Sequence, residues 1–234
     1  MSPRPFETWL FGKWGPLEKA LARWGKDVIW PEDALCCVCG RVTDKDGLCA
    51  SCRESLEHDG FFFAWERSDP EPGLPAWSLR PHEGVARRLV IRLKYGAEAR
   101  AARLLAGLLL PLPEDFDLPP DTVVTWVTMP ESRRRDRAVD HGRLLAEAFA
   151  ARLELPCRRL LLRRDRRERR QVGLTGEQRA ANLQGAFRPA EKISFPVLVV
   201  DDMRTTGATL CRCAEALRAG GAEKVFALTV TARK

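Results

Sequence analysis

The sequence predicts an α/β fold, a parallel sheet flanked by helices, with a small cysteine-bound module ahead of it. Three observations predict it. Apolar runs that read as buried strands, Val123 to Thr128, Val197 to Val200 and Val225 to Val230, are separated by segments of helical apolar spacing. Cys36, Cys39, Cys49 and Cys52 make two C-x-x-C knuckles nine residues apart. The run Val197 to Val200 leads straight into Asp201-Asp202 and a small-residue turn, and ligands of parallel sheets sit at the carboxyl ends of the strands.

A chain of 234 residues suffices for one medium domain plus a small module, and 45% hydrophobic with 30% charged residues describes a globular rather than a disordered or fibrous chain. The net charge of +7, much of it in arginine runs, suits a polyanionic partner such as nucleic acid, pyrophosphate or an acidic protein, and equally suits solvated charged faces. Met1 to Trp14 lacks the apolar core of a secretory signal, and no segment offers the roughly 20 apolar residues of a membrane helix. The expectation is a cytoplasmic protein with no membrane insertion, whose cysteines stay out of disulfides.

Residues 1–30 read as a Trp-rich helical arm. Phe6, Leu10, Leu17, Leu21 and Trp24 recur at roughly helical spacing among Trp9, Trp14 and Trp30. Such an arm either packs its aromatics on the next module or docks a partner. Residues 31–57 hold the knuckles. Four thiolates in a reducing compartment suit tetrahedral zinc, and the closed ligand set suits a structural zinc ribbon. Gly40 and Gly47 fit its short turns, and metal binding would supply most of its folding free energy. Unmetallated buried thiols or a redox pair are the alternatives, and Cys37 is a spare thiol. Residues 58–80 read as a linker, with Phe61 to Trp65 a strand or packed aromatic segment and Ser68 to Pro75 rich in turn residues.

Residues 81–234 form the main domain. Val85, Leu89, Val90 and Leu93 space as a helix ending at Lys94-Tyr95-Gly96, with Gly96 as its C-cap. A second helix spans about Ala99 to Leu110. The Val123 strand enters Met129-Pro130-Glu131-Ser132-Arg133, and a helix follows from about Val139 to Arg152. Leu160 to Leu162 reads as a short strand, 163–170 as the densest charge run, and Gln171 to Asn182 as a loop and then a helix. The last helix runs from Leu210 to Ala219, and Val225 to Val230 closes the sheet.

The stretch Asp201 to Thr209 has the chemistry of a sugar-phosphate cradle. Backbone N–H groups of Thr205, Thr206, Gly207, Ala208 and Thr209 can converge at a helix N-terminus, where the dipole favours an anion. Asp201 and Asp202 can accept hydrogen bonds from vicinal ribose hydroxyls or hold a hydrated metal ion. The plainer alternative is a helix N-cap with a turn glycine. A nucleotide-hydrolase site would need a G-x-x-x-x-G-K-[ST] loop, which the chain lacks.

Asp201-Asp202-Met203-Arg204-Thr205-Thr206-Gly207-Ala208-Thr209 resembles the phosphoribosyl pyrophosphate (PRPP) signature of type I phosphoribosyltransferases. With the cysteine knuckles, Leu93-Lys94-Tyr95-Gly96, the arginine cluster after Pro130, and Gln171-Val172-Gly173-Leu174 leading to Arg179, Asn182 and Ala186-Phe187, residues 31 to 234 resemble the ComF family. The resemblance implies a type I phosphoribosyltransferase-like domain over 81–234 behind a zinc ribbon. It implies that Asp201 and Asp202 hold the ribose hydroxyls as the catalytic pair, and that Thr205 to Thr209 hold the 5′-phosphate. Pro130, Glu131, Ser132 and Arg133 occupy the place of the pyrophosphate loop, and residues 163 to 174 that of a mobile hood. One run departs from the family: arginine–glycine–aromatic–Asn–Gln stands here as Arg137-Ala138-Val139-Asp140-His141. His141 is read as a helix-start residue rather than a base.

The implied function is a PRPP-binding, phosphoribosyltransferase-like protein of natural competence and DNA uptake, with structural Zn²⁺ and with Mg²⁺ accompanying PRPP. Arg133, Lys94 and the 163–170 run are candidate cations for the pyrophosphate. The alternative is a non-catalytic adaptor that binds single-stranded DNA or a competence helicase through the zinc ribbon and arginine clusters. No residue identifies the acceptor.

Overall fold

The computed structural model describes residues 34–43, 47–58, 63–64, 74–96, 99–108, 116–129, 139–163 and 185–233. The expected arm at 1–30, the loop Pro130 to Arg133 and the hood beyond Arg163 lie outside these residues. The elements follow one another as α1 (Ala50–His58), β1 (Phe63–Ala64), β2 (Ala76–Pro81), α2 (Gly84–Gly96), α3 (Ala99–Gly107), β3 (Val123–Trp126), α4 (His141–Leu153), β4 (Leu161–Arg163), β5 (Phe187–Pro189), β6 (Val197–Arg204), α5 (Ala208–Ala219) and β7 (Val225–Ala232). Contacts divide the chain into two units, Met1–Ala50 and Ser51–Lys234.

In the first unit, the backbone turns back on itself at the first knuckle. Leu35 bridges Val42, the Cys36 N–H donates to Arg41 O at 2.7 Å, and the Gly40 N–H donates to Cys36 O at 2.9 Å. Gly40 and Gly47 take φ of 72° and 74°, a left-handed conformation that glycine adopts without a Cβ clash. The Thr43 hydroxyl donates to Leu48 O at 3.0 Å and ties the two knuckles together.

In the second unit, the described strands make a five-stranded sheet of order β1-β2-β7-β6-β3. β2, β7, β6 and β3 are mutually parallel, and β1 is an antiparallel edge. β4 and β5 form a separate antiparallel pair. The first halves of the central strands, Val197 to Val200 of β6 and Val225 to Leu228 of β7, are apolar and buried, as strands covered on both faces must be. α2 packs on β2 and β7, α4 on β3 and β6, and α3 between those helices. α5 packs on β5, β6 and β7, where Val197, Val199, Val225 and Ala227 meet Leu210, Cys213, Ala214 and Leu217 in one core. Full burial of each Leu or Val stabilises by about 1.5–3 kcal/mol, so this double-sided core dominates the folding energy.

Two boundaries differ from the sequence reading. Residues Ala76–Pro81, mostly within the expected linker 58–80, form a strand paired in parallel with β7. Its Ser78 is fully buried and bonds Thr229 across the pair, Oγ to Oγ1 at 2.7 Å, which offsets the cost of burying a hydroxyl in the sheet. β6 also runs on to Arg204, so Asp201 and Asp202 lie inside the strand rather than beyond it.

Candidate functional site at the carboxyl edge of the sheet

Parallel strands place their carboxyl ends on one edge, and β6 carries its polar residues there. Side chains alternate along a strand, so the consecutive carboxylates Asp201 and Asp202 project from opposite faces. Their partners agree. Asp202, 5% exposed, takes Lys94 Nζ of α2 at 2.9 Å, and His141 Nε2 of α4 lies 3.7 Å from the same oxygen. Asp201 faces α5, where its charge acts on the fully buried Cys213, and it also feels Arg163 at the end of β4.

Burial, and then the neighbouring Asp202 carboxylate, push Asp201 up to about 8, while the Asp202 N–H, Lys94 and Arg163 oppose the shift. The Asp202 N–H donates to Asp201 Oδ1 at 2.9 Å, so the two are joined through the backbone as well. Asp201 therefore keeps its proton well above the usual carboxylate range, while Lys94 lies against Asp202.

After Arg204 the chain bends through Thr205 and Thr206, both exposed, to Gly207. Gly207 is the N-cap of α5 at φ 77°, a left-handed conformation costly for any other L-residue. Its carbonyl accepts the Cys211 N–H at 3.1 Å, and Thr206 Oγ1 accepts the Ala208 N–H at 3.4 Å. Ala208 and Thr209 are thus the first residues of the helix rather than loop. The predicted set Thr205, Thr206, Gly207, Ala208 and Thr209 is one turn wrapped on a helix N-terminus, a geometry suited to an anion.

Three contributors were not singled out in the sequence. Thr231 of β7 is buried, and its hydroxyl lies 3.2 Å from Asp202 O and 2.8 Å from His82 Nδ1. The alternation of Thr229 and Thr231 in an otherwise apolar strand is the signal that could have found it. Burial first, then the charges of Arg233, Lys94 and Arg87, lower the His82 pKa, so its ring favours the neutral form. Trp126, at the end of β3, donates its indole N–H to Asp140 Oδ2 at 3.2 Å. Asp140 is the N-cap of α4, and His141 is the helix's first residue, turned to Asp202.

The four cysteines also come together. One ligand atom from each of Cys36, Cys39, Cys49 and Cys52 lies within 4.8 Å of every other, and Cys39 Sγ is 3.6 Å from Cys49 Sγ. Four thiolates about 2.3 Å from a tetrahedral zinc ion lie about 3.8 Å apart, so the donor set fits such a metal. Burial raises the Cys36 pKa, but hydrogen bonds with the Cys49, Cys39 and Val38 backbones and the Cys39 side chain outweigh it and the pKa is lowered. That shift favours the thiolate a metal needs. Cys37 is buried and stands outside the group.

A phosphoribosyl transferase domain matches residues 140–234. The chain is 25% identical over 202 residues to Competence protein F of Haemophilus influenzae, covering 77% of this chain and 88% of that protein. It is 29% identical over 217 residues to DNA utilization protein YhgH of Salmonella typhi, covering 88% and 89%. Among solved structures it is similar to orotate phosphoribosyltransferase from Aeropyrum pernix at 23% identity and a TM-score of 0.34, over 61% of this chain and 62% of that one. The domain match and the competence and DNA-utilization relatives, with a cysteine cluster ahead of the sheet, support a ComF family assignment for this chain.

Proposed function

We propose that the chain binds PRPP at the carboxyl edge of β6 and acts as a phosphoribosyltransferase-like protein of DNA uptake. The observation that carries this reading is the continuous path from the apolar strand through Asp201-Asp202 to the left-handed Gly207 and the N-terminus of α5. The α5 terminus receives the 5′-phosphate, with the Thr205, Thr206 and Thr209 hydroxyls as further donors. Asp201 and Asp202 receive the ribose hydroxyls. As pyrophosphate departs, positive charge develops on the ring, and the carboxylates stabilise it electrostatically. Mg²⁺ bound with PRPP would neutralise the pyrophosphate oxygens. Pro130, Glu131, Ser132 and Arg133 are assigned to the pyrophosphate side from the family resemblance. Cys36, Cys39, Cys49 and Cys52 hold a structural Zn²⁺, with no position left open for chemistry.

Thermal unfolding of the full chain with PRPP and Mg²⁺ tests this. A ligand bound only to the folded state raises the melting temperature, by about 2.7 kcal/mol of stability at a hundredfold excess over Kd. Asp201→Asn with Asp202→Asn should remove that shift. No shift in the unaltered chain at millimolar PRPP would sink the assignment.

A second reading draws on α2. Arg87, Arg88 and Arg92 are exposed on it, and Tyr95 is 79% exposed at its end. Cationic side chains interleaved with an aromatic suit single-stranded nucleic acid, and the named relatives point to DNA handling. Affinity for short single strands should then fall steeply with salt, and binding that ignores salt counts against it.

A further inference from the structure

The Asp202 carboxylate is already engaged in the unliganded protein. Its oxygen Oδ2 takes Lys94 Nζ at 2.9 Å and faces His141 Nε2 at 3.7 Å. Its side chain is only 7% exposed, against 28% for Lys94. Its backbone is fixed on both sides, the N–H donating to Asp201 Oδ1 and the carbonyl accepting from Thr231. The backbone of Asp202 is thus held in the strand, and its buried side chain lies against Lys94 and His141. Lys94, on the last turn of α2 beside the exposed Tyr95, has the freer side chain.

This arrangement bears on which sugar phosphate the site accepts. Ribose hydroxyls are neutral donors. They can bond to Asp202 but cannot replace the cation that compensates its buried charge. A ligand offering hydroxyls alone therefore leaves Lys94 held on Asp202 and gains nothing from its charge. A ligand that also brings a pyrophosphate gives the ammonium group a second anion within reach of its flexible four-carbon stem. Lys94 then bridges Asp202 and the pyrophosphate, or passes from one to the other. The same lysine assists the ligand that carries a pyrophosphate and gives no help to the one that lacks it.

We propose that Lys94 is a specificity-determining residue that exchanges its ion pair with Asp202 for the ligand's pyrophosphate, so that the site selects PRPP over ribose 5-phosphate. This rests on the PRPP reading of the site. It differs from a general role in charge neutralisation, because it predicts unequal effects on two ligands that share the ribose and the 5′-phosphate.

The experiment is calorimetric titration of the full chain and of Lys94→Met with PRPP and, separately, with ribose 5-phosphate, both with Mg²⁺. The expected result is a fall of about tenfold or more in the ratio of PRPP to ribose 5-phosphate affinity, with PRPP weakened and ribose 5-phosphate unchanged or tightened; tenfold is the scale of one charge-assisted contact. If Lys94→Met does not fold, Lys94→Gln keeps the stem and a donor for Asp202 and is read in the same way. A variant that weakens both ligands by one factor, or neither, overturns the proposal while PRPP binding by the unaltered chain stands. If the unaltered chain binds neither ligand, the PRPP reading fails and the proposal falls with it.

Discussion

Trp126 and Asp140 close the two ends of the segment between β3 and α4. The indole N–H donates to one oxygen of Asp140 at 3.2 Å, while the other oxygen accepts the N–H groups of Gly142 and Arg143 at 3.1 and 3.2 Å. One carboxylate thus caps the helix and fixes the strand end beside it. Asp140→Ala should cost about 1–2 kcal/mol, the usual loss for an N-cap. Trp126→Phe keeps most of the apolar contact and removes the donor, so it should cost about 0.5–1.5 kcal/mol. In urea unfolding the double variant should cost less than the sum of the two, since both remove one hydrogen bond. Strict additivity would show that the contact contributes nothing.

Much of this architecture was legible because it rests on local chemistry. The Val197 and Val225 runs are strands covered on both faces, and their apolar continuity announced them. Gly96 closes α2 and Asp140 opens α4, close to where caps and spacing placed the boundaries. β2 was hidden because Ser78 and Arg80 look solvent-directed until Thr229 stands opposite Ser78, 151 residues away in sequence. In the site, the acidic pair and turn were visible as a motif. The division of Asp201 and Asp202 between two faces was not, because it depends on β6 continuing through them. The Lys94 partnership with Asp202 spans more than a hundred residues and leaves no local trace.

Gly207 sets the entry of the chain into α5. Its φ of 77° lies in the left-handed region, and Gly207→Ala should cost about 1–2 kcal/mol in backbone strain. For a chain of this size that is a fall in melting temperature of roughly 2–8 °C. Anion affinity should fall as well, because relief of the strain re-aims the first amides of the helix. Differential scanning calorimetry with and without PRPP reads both effects. An alanine variant with unchanged melting temperature and an unchanged PRPP shift would mean that the conformation is not required.

The cysteine group makes a stoichiometric prediction. The full chain should carry one equivalent of zinc by elemental analysis, and Cys39→Ser or Cys49→Ser should sharply reduce it. Cys37→Ser should leave the metal content unchanged, since Cys37 stands outside the group. Removal by a strong chelator should expose four further thiols to a disulfide reagent and destabilise the knuckle segment, whose small core gives it little other support. Equal loss of zinc on replacing Cys37 and Cys39 would contradict this ligand set.

The raised pKa of Asp201 links stability to pH with a definite sign. Its ordinary value is 3.8 and its folded value about 8, with burial the first cause and the Asp202 charge the second. Across that interval the folded chain retains a proton that the unfolded chain has released, so stability falls as pH rises. The contribution is fully present below about pH 4 and lost as pH passes through about 8. Asn cannot ionise, so Asp201→Asn should remove this dependence. The variant's melting temperature should exceed that of the unaltered chain by a margin that widens from pH 5 to pH 8 and then levels off. Each pKa unit corresponds to about 1.4 kcal/mol, and partial access to water reduces the full linkage value, so a margin of at least about 1 kcal/mol is expected at the plateau. Parallel melting curves for the two proteins across this range would show that Asp201 ionises normally in the fold. PRPP bound as proposed should act in the opposite direction on the unaltered chain. Ribose hydroxyls and accompanying Mg²⁺ favour the carboxylate form, so binding should release a proton below pH 8, and the measured enthalpy should vary with the ionisation heat of the buffer. Asp201→Asn should remove that variation.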